Sequence, residues 1–297
     1  MKINIHKKSK VFTSNISSNE LKKLSIFLSK MFKEKLNFQL KNNFSPEFLN
    51  WLYNENPNGK AIINNVYESE KIIAHFALVP IKVLYENKIY KSALSVFTAV
   101  DEKKRGLYFF HKLASKSFEL AKFEDIRFVI GVANKISSEL FVKCFKFKLI
   151  SPLDVKIGLS KFEEKNNLSH KFEIFKNNEV LNWRLKNPRF TYQICKEKNN
   201  FLIFNNNYRL FKIRMGDFAI QDTRLYKKIL SEVTHNINPL NMWIGLNNNL
   251  KHTKMSFNLP KMLKPSPLNL IIKDLKSEET LLNKTDIKFN LIDFEIF

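Results

Sequence analysis

Between residues 61 and 150 strand-like apolar runs give way to a helical stripe with a period near 3.6, and then return. This alternation restricts the chain to a mixed sheet with helices packed on it. Residues 61–67, 71–79 and 81–85 read as strands. Glu86, Asn87 and Lys88 turn the chain back into Ile89 and Tyr90, and residues 93–100 read as a buried strand. Over residues 106–122, Leu107, Phe110, Leu113, Ala114, Ser117, Phe118 and Ala121 form one helical stripe. Lys112, Lys116, Glu119 and Lys122 lie opposite it. A strand over 127–132, a helix over 137–144 and a strand over 145–150 complete the pattern. The expected class is therefore α/β (α+β): a mostly antiparallel mixed sheet flanked by helices.

The flanking segments extend this scheme. Residues 1–12 alternate like a strand. Asn19 is placed to cap a helix carrying Leu21, Leu24, Phe27, Leu28, Met31 and Phe32. Ser45-Pro46 opens a second, short helix, with Ser as cap and Pro in the first turn. Later strands are expected at 192–195, 201–204, 208–215, 241–246, 268–273 and 287–294. A helix is expected near 223–233, and a linker over 260–267.

Composition narrows the chemistry. Lys plus Arg number 50 against 28 Asp plus Glu, a formal net charge of +22. The hydrophobic fraction of 44% excludes a disordered chain. A basic face would suit an anionic partner such as nucleic acid, a coenzyme or phospholipid. Yet the excess is almost all lysine, and it is scattered. Arginine, with its bidentate fork, is the usual reader of phosphate and guanine. Nucleic acid is therefore disfavoured, and the local run Lys103-Lys104-Arg105 is what remains of interest. Cys144 and Cys195 cannot build a disulfide framework and read as free thiols of a reducing compartment. Residues 1–10 lack the apolar core of a signal peptide, and no apolar run is long enough to span a bilayer. The expectation is a cytoplasmic protein without a membrane span.

Two internal echoes follow one another in the same order. Phe48-Leu49-Asn50-Trp51 through Asn56-Pro57 resembles Val180-Leu181-Asn182-Trp183 through Asn187-Pro188, with one residue fewer. Phe128-Val129-Ile130-Gly131 resembles Met242-Trp243-Ile244-Gly245. Together they predict two related domains in tandem, 1–155 and 156–297.

With these segments in view, the chain resembles GNAT-type acyltransferases, the acetyl-coenzyme A-dependent superfamily. The resemblance covers most of residues 45–150 and, more faintly, the remainder. It rests on the aromatic Leu-Asn-Trp segment ending in Asn-Pro, on the strand Lys71 to Pro80, and on a strand ending in Gly131-Val132-Ala133-Asn134. The tandem subset it resembles is often linked to amino sugars of surface glycans. The resemblance implies two GNAT-like domains, the first catalytic and the second degenerate. It implies acetyl-coenzyme A, or another acyl-coenzyme A, as cosubstrate, and no metal. The acceptor it implies is a small amine, an amino sugar on a nucleotide or lipid carrier being one form. It leaves a homodimer open.

In that superfamily a basic glycine loop between strand and helix holds the pyrophosphate on backbone N–H groups and a helix N-terminus. Here the loop runs from Thr98, Ala99 and Val100 through Lys103, Lys104, Arg105, Gly106 and Leu107. In the gapless register Arg105-Gly106 aligns with the family's Arg-Gly pair, and Tyr108 and Phe110 stand where small residues are expected; a register that starts at Lys103 instead puts Gly106 on the key glycine, with a loop two residues shorter. Asn134 falls where the pantetheine would pass. The family's tyrosine acid is replaced by Val142 within Phe141 to Phe147, which leaves Tyr108 as a substitute. Candidates for the base are His75, Asp101 and Glu102. Two other readings use the same sequence differently. One is a non-catalytic basic module for nucleic acid or anionic lipid, and the other an acyltransferase drawing on aminoacyl-tRNA.

Overall fold

The computed structural model describes residues 7–13, 15–32, 44–104, 106–158, 162–164, 170–197, 200–210, 213–219, 241–247, 250–252, 256–259 and 268–294. The first sheet starts with β1 (Lys7–Phe12), β2 (Ile62–Glu68), β3 (Lys71–Tyr85) and β4 (Lys88–Val100), all paired antiparallel. Helices α1 (Ser18–Phe32) and α2 (Pro46–Tyr53) pack together on one of its faces. Ser45 caps α2 by accepting the Phe48 N–H at 3.2 Å, as the Ser-Pro signal predicts. The two expected strands at 71–79 and 81–85 are one. Pro80 does not break it, because its backbone faces the edge where β2 has already ended, and Asn56 Nδ2 donates to its carbonyl at 2.7 Å.

Helix α3 (Leu107–Phe123) covers the other face, with Phe110, Leu113, Ala114, Phe118 and Ala121 turned inward. Then come β5 (Phe128–Ala133), parallel to β4, and α4 (Lys135–Phe145). The strand expected at 145–150 is displaced to β6 (Lys148–Pro152), because Phe145 still belongs to α4. Lys146 caps that helix in the left-handed conformation, at φ 55°.

The chain then enters β7 (Asp154–Gly158), β8 (Phe162–Glu164), β9 (Phe172–Phe175) and α5 (Asn178–Leu185). A second meander follows: β10 (Tyr192–Glu197), β11 (Asn200–Leu210) and β12 (Ile213–Ala219). β12 runs parallel to β13 (Asn241–Leu246). β14 (Leu250–His252), β15 (Ser256–Asn258), β16 (Asn269–Asp274), β17 (Ile287–Asn290) and the single turn α6 (Leu291–Phe294) close the order. The strand expected over 287–294 thus ends at Asn290. The helix expected near 223–233 and the linker over 260–267 lie outside the described residues.

The two sheet regions, joined through β17 and β9 into one continuous sheet, exchange strands. β16 lies antiparallel between β5 and β6 in the first sheet. β7 lies antiparallel between β13 and β15 in the second. Each strand sits beside a parallel pair, β4–β5 or β12–β13, that follows an antiparallel meander. A cut at 155/156 therefore does not separate the sheets, since residues 269–274 belong to the first. Arg127 fastens β16 there: its Nε lies 3.2 Å from Asp274 Oδ2, and its guanidinium rests 4.4 Å from the Tyr90 ring centre.

The first echo has a direct structural counterpart. Trp51 and Trp183 stack with ring centres 4.6 Å apart and planes 17° from parallel. Trp51 Nε1 donates to the Trp183 carbonyl at 2.9 Å, and Trp183 Nε1 donates to the Trp51 carbonyl at 3.1 Å. Such reciprocity is the mark of a local two-fold relation between α2 and α5.

Candidate active site

Strands β4 and β5 pair only from Ser92↔Phe128 to Ser95↔Gly131. Beyond that point β4 continues to Val100 along β3, and β5 continues to Ala133 along β16. The facing edges of Val96–Val100 and of Val132 and Ala133 carry no strand partner among the described residues, so the pair opens into a wedge. The cause is a bulge. Ala77 pairs with Val96 and His75 with Ala99, so Phe97 and Thr98 together oppose Phe76. Phe97 takes φ 50°, rare for a non-glycine residue. Its ring anchors that strain by edge contacts at 4.9 Å to Phe44 and 6.1 Å to Phe48. A bulged strand bends, and here it bends away from β5.

Both helices that follow the wedge strands begin at its mouth. Gly106 precedes α3 without any side-chain cap, and the first turn carries no acidic residue. The first-turn N–H groups of α3 therefore have no side-chain cap at Gly106. A Cβ at Gly106 would meet nothing within 4 Å, so the space beside this residue is open. Asn134 instead caps α4, its Oδ1 accepting the Ser137 N–H at 2.9 Å. It follows β5 at the end of the wedge, and its side-chain oxygen serves the helix.

The basic run is less free than its sequence suggests. Lys104 Nζ pairs with Glu68 Oε1 at 2.9 Å, a partner that nothing in the local sequence announces. Lys103 is exposed on the turn Glu102–Lys104. Arg105 and the Leu107 side chain lie outside the described residues. Thr98 and Val100 are half-buried and Ala99 is buried, all three on the bulged end of β4.

The candidate bases fare differently. Asp101 accepts Lys30 Nζ at 2.9 Å and the Lys103 N–H at 3.0 Å. The bond to Lys30 is the main reason its carboxyl is held below the usual range, and a lowered pKa weakens it as a base. His75 is 0% exposed, with Nδ1 2.7 Å from Asn65 Oδ1 and Nε2 3.2 Å from Tyr53 Oη. Asn65 Nδ2 donates to Tyr67 Oη at 3.2 Å, and Tyr67 donates to Glu20 Oε2 at 2.5 Å. This line of bonds fixes the tautomer: Nδ1–H donates to Asn65, and Nε2 accepts from Tyr53. Burial pushes the imidazole down to about 3. Contrary to the expectation, His75 offers no open nitrogen to a substrate. Glu102 is exposed on the turn, and Tyr108 is 67% exposed on the first turn of α3.

His111 stacks on Phe145 at 5.1 Å, and Cys144 is a half-buried free thiol beside the α3–α4 core. Among the described residues, no group of three or more His, Cys, Asp or Glu could hold a metal, and no helix is long and apolar enough to cross a membrane.

Solved structures match this arrangement at the level of the fold. A GCN5-related N-acetyltransferase from Anabaena variabilis superposes with a TM-score of 0.58 at 12% identity, over 90% of this chain and 73% of that one. The chain has the GCN5-related N-acetyltransferase fold. A GCN5-related N-acetyltransferase from Kribbella flavida matches with a TM-score of 0.59 at 7% identity, over 90% of this chain and 71% of that one. No family model matches the chain, and no curated protein matches it by sequence. At these identities the likeness establishes the fold, while activity has to be argued from the site.

Proposed function

We propose that the chain is an acyl-coenzyme A-dependent N-acyltransferase whose donor site is the wedge between β4 and β5. The observation that carries this reading is the open pair of strand edges beyond Ser95 and Gly131, next to the uncapped start of α3. A pantetheine arm is an extended chain with two amides, and it suits such unpaired edges. The pyrophosphate would lie before Gly106, on the first-turn N–H groups and Lys103, with Lys104 shared with Glu68.

In the reaction an acceptor amine attacks the thioester carbonyl carbon, the C–S bond breaks and the sulfur leaves as thiolate. One proton leaves the amine and one reaches the sulfur. Backbone N–H groups of the bulged segment Thr98–Val100 would polarise the carbonyl. Glu102 and Tyr108 are exposed on the turn and on the first turn of α3; in this reading Glu102 takes the amine proton through water and Tyr108 donates a proton to the departing thiolate. His75 and Asp101 hold the scaffold instead. The division into a catalytic unit and a degenerate second one, now with exchanged strands, belongs to the same proposal, as does cytoplasmic location. An amino-sugar acceptor rests on the sequence resemblance alone.

The test is thiol release from acetyl-coenzyme A in the presence of a panel of amines, including amino sugars, with mass spectrometry of the acceptor. Release together with one added acetyl group supports the reading. A lack of release with every amine, and no binding of the coenzyme, overturns it.

A further inference from the structure

The second sheet contains its own parallel pair, and that pair also opens. β12 and β13 are paired only at Arg214↔Asn241 and Met215↔Met242. Beyond Met215, β12 continues along β11 alone, and β13 continues along β7. A second wedge should therefore stand between Gly216 and Leu246, in the place that corresponds to the first.

That space is taken. β17 pairs antiparallel with β13 at Gly245↔Asn290 and Leu246↔Phe289. Asn241 uses one edge for β7 and the other for β12, while Gly245 uses the same first edge for β7 and gives its second to β17. β17 thus occupies the edge that β12 has vacated. The turn α6 that follows it touches β12, β13 and β17. Glycine at 245 is what permits the approach: a Cβ there would lie 2.5 Å from the Phe289 carbonyl oxygen and 2.9 Å from the Trp243 ring. At Gly131, its counterpart in the echo, a Cβ would instead meet Ile271 at 3.1 Å, on the side away from the first wedge.

The occupant is well fastened. The Asn290 N–H donates to Asp293 Oδ2 at 2.7 Å, and Asp293, itself buried, forms an ion pair with Lys176. Arg184 Nη2 donates to the Asp293 carbonyl at 3.2 Å. Ile292 packs with Leu181 and Ile203, and Phe289 stacks on Phe294 at 5.3 Å. On its far edge β17 pairs with β9, and β9 pairs with β3.

We propose that residues 287–294 are a built-in occupant of the second wedge, standing where an acyl donor's arm would otherwise pair with β13. The chain then offers one donor site, in the first half, and the second half is a brace whose own wedge is sealed. This rests on reading the first wedge as the acyl-coenzyme A site.

The experiment combines calorimetric titration of the full chain with acetyl-coenzyme A and hydrogen exchange read by mass spectrometry. One coenzyme per chain is expected, with new protection in peptides covering 96–104 and 131–137. Peptides covering 241–246 and 287–290 should already be slow without ligand and should not change. Two coenzymes per chain, or ligand-induced protection at 241–246, would overturn the proposal. If the coenzyme does not bind at all, the reading of the first wedge fails, and the ligand-free exchange still decides on the occupant: fast exchange at 241–246 and 287–290 overturns it. Asp293→Asn gives a second check by weakening the anchor without emptying its volume. Exchange at 287–290 should rise by about tenfold or more, the scale of one lost charged hydrogen bond. An unchanged rate there contradicts the assignment.

Discussion

The stacked pair at the α2–α5 seam gives the most demanding prediction. Trp51 and Trp183 are both buried and joined by two hydrogen bonds that each end on the other's backbone carbonyl. Trp183→Ala therefore removes one stack and one donor, leaves the Trp51 carbonyl unpaired, and spares the bond from Trp51 Nε1. Truncating a buried tryptophan costs about 3–5 kcal/mol, to which the unmet carbonyl adds about 1 kcal/mol. Trp51→Ala should cost about as much, because the arrangement is reciprocal. The stack itself is shared, so the double variant should lose about 1–2 kcal/mol less than the sum of the singles. Urea unfolding followed by far-ultraviolet circular dichroism measures all four proteins. Since the chain has 3 tryptophans, the double variant keeps only Trp243, a fluorescent reporter of the second sheet. The exchanged strands β7 and β16 should keep the fluorescence and dichroism transitions coincident. Additive losses would refute the reciprocal seam, and separated transitions in the double variant would refute the exchange as a unifying element.

Two further predictions concern the wedge and its support. His75 is held neutral by burial, with its value lowered from 6.5 to about 3. A lowered folded value means stability is complete above about pH 6.5 and drains as pH falls toward 3, by up to about 1.4 kcal/mol per pH unit. His75→Gln should lower stability at neutral pH and flatten that slope, as read from urea midpoints between pH 4 and 7 (on the order of the window just named); an unchanged slope would show that another group is responsible. Asn134→Ala should cost about 1 kcal/mol through the lost α4 cap, with acetyl-coenzyme A affinity reduced less than threefold or so if the cap is its main task. A large loss of affinity with unchanged stability would instead make Asn134 a direct coenzyme contact.

Much of the first sheet was legible because its signals are local. The apolar runs before Tyr85, the turn at Glu86 and Asn87, and the stripe from Phe110 to Ala121 each need only neighbours in sequence. The echo of Trp51 in Trp183 was also legible, and it pointed to a real contact. What stayed hidden depends on pairing between distant segments. Nothing in residues 269–274 says that they sit between β5 and β6, and nothing in residues 154–158 says that they cross into the other sheet. Phe97 carries no mark of its positive φ, because the bulge is imposed by the register of β3 against β4. His75 looked like a base because its partners Tyr53 and Asn65 come from other elements. Lys104 looked like a free charge for the same reason, its partner Glu68 lying at the end of β2.

The central claim is that the β4–β5 wedge receives the acyl donor. A crystal structure of the chain soaked with coenzyme A tests it most directly. The account predicts pantetheine density between residues 96–100 and 132–134, with the pyrophosphate ahead of Gly106 near Lys103. Coenzyme bound between β12 and β13, or a wedge left empty at saturating coenzyme with Tyr108 folded across it, would contradict the account.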